Sequence, residues 1–183
     1  MVMRFLLIGL SLTFSATPAQ DKTLVKVSHF LSQDKIRPGD TFKVAFRVSV
    51  APGYHINGNE LTDSYLLPTE LILEEQPGFK AEEYFFPAPR PGKFSFSENE
   101  FLVYEGDILL AVLIQAGKEL PPGSQKLKGK LIYQACDSIS CLPPSEIPLG
   151  VPLDVVPSSQ EIKDINQDIF SNLEFKKEKK RAP

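Results

Sequence analysis

Phe42-Lys43-Val44-Ala45-Phe46-Arg47-Val48-Ser49-Val50 decides the class of fold. Large apolar side chains recur at every second position, the period of a strand with one face on a core. Arg37-Pro38-Gly39-Asp40, just before it, carries the proline-then-glycine signature of a tight turn. Outward from there the pattern repeats. Further strands are expected at Leu24 to Val27, Glu70 to Glu74, Ala81 to Phe86, Glu100 to Tyr104, Ile108 to Gln115, Gly129 to Gln134 and Val151 to Val156. Breakers separate them at Gln76-Pro77-Gly78, Pro87 to Gly92, Glu105-Gly106-Asp107 and Pro121-Pro122-Gly123. Short strands without an amphipathic helix between them predict an all-β antiparallel sandwich, with a closed barrel as the main alternative.

Composition agrees. The chain has 183 residues, 42% hydrophobic and 23% charged, within the globular range and sized for one domain with appendages. Sixteen prolines against eleven glycines argue for stiff turns rather than a helical bundle. A net charge of −3 lacks the basic footprint of a nucleic-acid binder.

The ends differ from the body. Residues 1–19 have the form of an export signal: Arg4, the apolar run Phe5 to Phe14, then Thr17-Pro18-Ala19 before a cut at Gln20. The run is too short to span a bilayer, and no cysteine follows it to carry a lipid. The mature chain is therefore expected to be soluble and exported, as a domain over residues 20–157. After Pro157, Ile162, Ile165, Ile169 and Leu173 fall at helical spacing with Ser158 or Ser159 as N-cap. A short helix and a basic tail are expected over residues 158–183. Lys176, Lys177, Lys179, Lys180 and Arg181 against Glu178 give the tail +4, which is ordinarily a solvated end.

Cys136 and Cys141 are the only cysteines. They lie in Tyr133-Gln134-Ala135-Cys136-Asp137-Ser138-Ile139-Ser140-Cys141-Leu142-Pro143-Pro144, a connection between two expected strands. If bridged, a loop of about six residues gains only about 2 kcal/mol from chain entropy, against about 4 for one of ~60. Such a pair suits reversible exchange, and a plain local disulfide fits it equally. Oxidation is the default outside the cytosol. A zinc site with His29 and His55 has no familiar ligand spacing, and no metal or other cofactor is expected. Copper handling would want methionines, and Met1 and Met3 both fall in the export signal.

The cysteine segment, with Pro52-Gly53-Tyr54-His55-Ile56-Asn57 and Leu67-Pro68-Thr69-Glu70-Leu71, resembles the N-terminal periplasmic domain of the thiol:disulfide interchange protein DsbD. The resemblance runs from about Thr23 to Val156. It implies an immunoglobulin-like β-sandwich with a redox-active disulfide of Cys136 and Cys141 on a hairpin at one end. It further implies electron transfer as a thiol:disulfide oxidoreductase component. Electrons would come from a thioredoxin-like or membrane-embedded reductant and pass to periplasmic disulfide client proteins.

By the same resemblance Cys141 would attack the substrate disulfide and Cys136 would resolve the intermediate. Phe94 or Phe96, in Lys93-Phe94-Ser95-Phe96-Ser97, would be the aromatic cap over the pair, with Glu98 and Glu100 close behind. Tyr54, His55 and Asn57 would lie beside the cysteines. A protonated His55 would favour a thiolate, whereas Asp137 would oppose one or serve simply as a solvated turn residue. The family's membrane domain and its C-terminal thioredoxin-like domain are not found in this sequence, so a free-standing module is expected. The alternative class is an exported binding module with a purely structural disulfide, its surface at the proline-rich stretch Phe86 to Gly92.

Overall fold

The computed structural model describes residues 23–60, 66–95, 99–171 and 173. In chain order the strands are β1 (Val25–Leu31), β2 (Thr41–Val50), β3 (His55–Asn57), β4 (Glu70–Leu73), β5 (Phe79–Phe85) and β6 (Arg90–Lys93). Then follow β7 (Glu100–Tyr104), β8 (Asp107–Ala116), β9 (Gly123–Tyr133), β10 (Ala135–Cys136), β11 (Ser145–Val155) and one helical turn, α1 (Gln167–Phe170). Three antiparallel sheets form, ordered β1-β2-β8-β5, β11-β9-β4 and β10-β3-β7-β6. The first two face each other across one core, and the third grows from the chain leaving β2, entering β8 and leaving β9. The fold is an all-β sandwich, not a barrel.

β2 shows how the sequence produces it. Phe42, Val44, Phe46, Val48 and Val50 are all at most 5% exposed and join Leu110, Val112 and Ile114 of β8 in the core. Each such side chain gains roughly 1.5–3 kcal/mol on burial. The opposing sheet contributes Leu71, Leu127, Leu131, Val151 and Leu153. Arg37 to Asp40 forms the expected turn: Gly39 takes φ +84°, the Asp40 N–H donates to the Arg37 carbonyl, and the two side chains pair at 2.8 Å.

Three strands escape the alternation pattern: β3, β6 and β10, of three, four and two residues. β6 is Arg90-Pro91-Gly92-Lys93, which reads as a breaker. It forms at the sheet edge, where proline's missing N–H removes no internal ladder bond. β11 begins directly after Pro144, well before Val151, and its own prolines at 148 and 152 are likewise on an edge strand.

The C-terminal segment differs most from its periodicity. Among the described residues there, only Gln167–Phe170 is helical, Ser158 and Ser159 do not cap it, and Asn166 at φ 52° precedes it with no side-chain cap bond. Residues 163–165 run as an extended segment instead. The Asp34 N–H donates to the Lys163 carbonyl, the Ile165 N–H to the Ser32 carbonyl, and the Asp34 carboxylate accepts from the Lys163 N–H. Pairing with the chain beyond β1 supplies long-range bonds and outcompetes a short isolated helix. Phe170, Ile169 and Leu173 then cover the outer face of the first sheet over Ala45 and Ala111. Among the described residues no helix is long and apolar enough to cross a membrane. Residues 1–22 and 174–183, with the export signal and basic tail expected there, lie outside the described residues.

Candidate redox site at the end of the sandwich

β9 ends at Tyr133, and after Gln134 the chain enters β10, where Ala135 pairs with Ile56 and Cys136 with His55. Residues 137–140 then turn the chain so that Cys141 faces Cys136 in an antiparallel bridge, with Cα atoms 3.9 Å apart and an S–S bond of 2.03 Å. The Leu142 N–H donates to the Ala135 carbonyl, closing the base of this hairpin.

Asp137 organises the turn. Its Oδ1 accepts from the N–H groups of Ile139 and Ser140, both at 2.7 Å, and its own N–H donates to the Ser140 carbonyl. These backbone bonds hold its carboxyl below the ordinary carboxylate range, so the acid stays ionised beside the disulfide. Asp137 is thus the turn residue the sequence leads one to expect, held by backbone hydrogen bonds. The pair itself is asymmetric: Cys136 is 1% exposed, whereas Cys141 is partly exposed between the exposed apolar side chains of Ile139 and Leu142.

Beneath the hairpin lies a buried polar network. Pro52-Gly53, with Gly53 at φ +82°, turns the chain from β2 into β3 and delivers His55 and Asn57 in fixed register. The Asn57 amide donates to the Leu67 carbonyl (2.9 Å) and to Gln134 Oε1 (3.3 Å), and the Thr69 hydroxyl donates to the Asn57 carbonyl. Gln134 Oε1 also accepts from the Leu67 N–H, while its Nε2 donates to the Leu142 carbonyl. One side chain therefore joins β3, the chain before β4 and the residue after Cys141.

On the other side β6 pairs with β7 and carries the chain to Phe94. The Phe94 ring stacks on the His55 imidazole with centroids 3.9 Å apart and planes 15° from parallel. The Ser95 hydroxyl donates to the Ser138 carbonyl at 2.5 Å, joining this segment to the cysteine turn. Burial lowers the pKa of His55, an effect that Glu105 and Asp137 oppose only in part. With the disulfide closed, burial thus shifts the ring toward its neutral form, away from the cation that would favour a thiolate.

Of the residues singled out in the sequence, Cys136 bonds to Cys141 and pairs with His55 in the strand register, Phe94 stacks on His55, and Asn57 reaches the hairpin through Gln134. Tyr54 packs against the main core. Phe96 and Glu98 lie outside the described residues. Glu100 opens β7 opposite Lys93, and His29 is exposed on β1. Among the described residues no group of three or more His, Cys, Asp or Glu is placed to hold a metal. Gln134, Thr69, Ser95 and Ser138 were not singled out. Gln134 stood beside Cys136 in the quoted segment, but bonding across 67 residues to Leu67 leaves no local signal.

The family model for the N-terminal domain of the thiol:disulfide interchange protein DsbD matches residues 22–148. Among solved structures, the N-terminal periplasmic domain of ScsB from Proteus mirabilis is similar at a TM-score of 0.51 and 12% identity. The alignment covers 74% of this chain and 49% of that one, so the chain spans about half the length of this neighbour, and the likeness is one of fold. No curated protein matches the sequence.

Proposed function

The chain belongs to the DsbD N-terminal family of thiol:disulfide interchange proteins, and from that premise we propose that it is a periplasmic exchange module working through a reversible Cys136–Cys141 disulfide. The proposed organisation is an export signal over residues 1–19, the redox sandwich over 20–157, and a short C-terminal appendage over 158–183. A thiolate of a thioredoxin-like or membrane-embedded reductant attacks Cys141 Sγ and displaces Cys136 as a thiolate. A second thiol of the reductant then resolves this mixed disulfide, leaving both cysteines reduced and the reductant oxidised. In the next half-cycle the Cys141 thiolate attacks a client disulfide, and Cys136 attacks Cys141 Sγ to release the client as a dithiol. Two electrons and two protons move in each half-cycle. Phe94, stacked on His55, acts as a cap limiting access to the pair between encounters.

The observation that carries this reading is the asymmetry of the pair: Cys136 is buried, while Cys141 is partly exposed on a hairpin with an apolar rim. Attack on or by a sulfur needs access, so Cys141 is the exchanging atom and Cys136 the resolving one. The test is equilibration in glutathione buffers, followed by trapping. A potential of roughly −120 to −270 mV, with mixed disulfides accumulating in Cys136→Ser and not in Cys141→Ser, is the expected result. A potential below about −300 mV would mark a structural bridge and overturn the exchange reading.

A further inference from the structure

Gly92 has no conformational reason to be glycine. It sits in β6 opposite Phe101, its φ lies outside the left-handed region, and glycine weakens a strand. What requires it is a close approach. An ideal Cβ built on Gly92 would lie 2.6 Å from Cζ and 2.8 Å from Cε2 of Phe94, and 3.2 Å from Cγ2 of Val103. Carbon atoms pack at about 3.5–4.0 Å, so a side chain here and the Phe94 ring in its present place exclude one another. Gly92 and Phe94 are two apart along extended chain, which puts them on the same side, and the ring occupies the space a Cβ would fill.

We propose that Gly92 is a positioning residue that seats the Phe94 cap: its bare Cα leaves room for the ring to lie on His55. This rests on the cap reading of Phe94 given above. Val103, 2% exposed within β7, need give only a few tenths of an ångström at 3.2 Å, whereas the much closer ring is the far end of a side chain just beyond β6 and is what must shift. A methyl group at position 92 therefore lifts the ring off His55 and spares the strand pairing. The Ser95–Ser138 hydrogen bond still tethers the backbone, so the change is confined to the cap.

The experiment uses the mature protein with reduced and oxidised glutathione as probes, comparing Gly92→Ala, Phe94→Ala and the double variant. A cap that opens only ~10% of the time or less predicts that Gly92→Ala raises the reduction and reoxidation rates together by about tenfold or more. Their ratio, and hence the potential, stays in place. Phe94→Ala gives the same acceleration, and the double variant no more than either single one, because both remove one contact. Wild-type rates in Gly92→Ala beside fast Phe94→Ala would overturn the seat while leaving the cap. Wild-type rates in both would overturn cap and seat together, with the exchange reading still judged by the potential. A shifted potential in Gly92→Ala, or failure of that variant to fold, would also overturn it, since the methyl would then act on the disulfide or the strand.

Discussion

His55 is 3% exposed, with its imidazole stacked on Phe94 and its backbone paired with Cys136. Desolvation pushes its pKa below 6.5, and Glu105 and Asp137 pull it back only in part. A base whose folded pKa is depressed binds fewer protons folded than unfolded, so stability rises with pH through its window. The contribution is complete above about pH 6.5 and is lost as pH falls through the folded value. The melting temperature is therefore expected to drop as pH is lowered from about 7.5 to about 5, and His55→Gln should flatten that drop. Asp137, whose folded pKa is also depressed, adds a loss of its own only below about pH 4, a separate window. An equal slope in His55→Gln would show that the ring is not the titrating group. The family resemblance implies a histidine near the pair, but its charge depends on its burial and on Glu105 and Asp137, which no local pattern encodes.

Gln134 sets the cost of disturbing the elements beneath the hairpin. Replacing it by alanine leaves the Leu67 N–H, the Asn57 amide and the Leu142 carbonyl each without one partner. Asn57 is 1% exposed, and leaving a buried donor short of a partner costs about 1–3 kcal/mol, so Gln134→Ala should lower the unfolding free energy in urea by that order, while water replaces the side chain at the exposed Leu142 carbonyl. Faster hydrogen exchange at the Leu67 amide would locate the loss, and an unchanged midpoint would mean water replaces the side chain at no cost. The same elements explain what was legible. β2 and β8 carry ten residues each, with large buried side chains at every second position and the intervening Ala45 and Ala111 buried from the outer face, so their period shows in sequence. β3, β6 and β10 are too short to display a period, and they exist because β7 and the Gly53 turn offer ready partners. The cysteine connection was legible as a connection, but its hairpin form comes from Asp137 binding two backbone N–H groups.

At the scale of the molecule, the question is whether the sandwich depends on its redox state. Its core spans two sheets from Val25 to Val155, and its outer face is closed by Phe170, 7% exposed over Ala45 and Ala111. The disulfide closes a loop of separation five, worth about 2 kcal/mol of chain entropy, against a total of about 5–15 kcal/mol for a folded domain. An exchange module needs that ratio, because a fold that relied on its disulfide would melt in every reducing half-cycle. Two denaturation curves test it. Cys136→Ser/Cys141→Ser should lose about 2 kcal/mol and still unfold in a single cooperative step. Phe170→Ala, which removes a large buried ring and leaves a cavity against two alanines, should lose about 3 kcal/mol or more although it lies on the other face. If the serine pair lost more than Phe170→Ala, or unfolded without cooperativity, the disulfide would be holding the fold. Cycling between redox states would then be incompatible with a folded module.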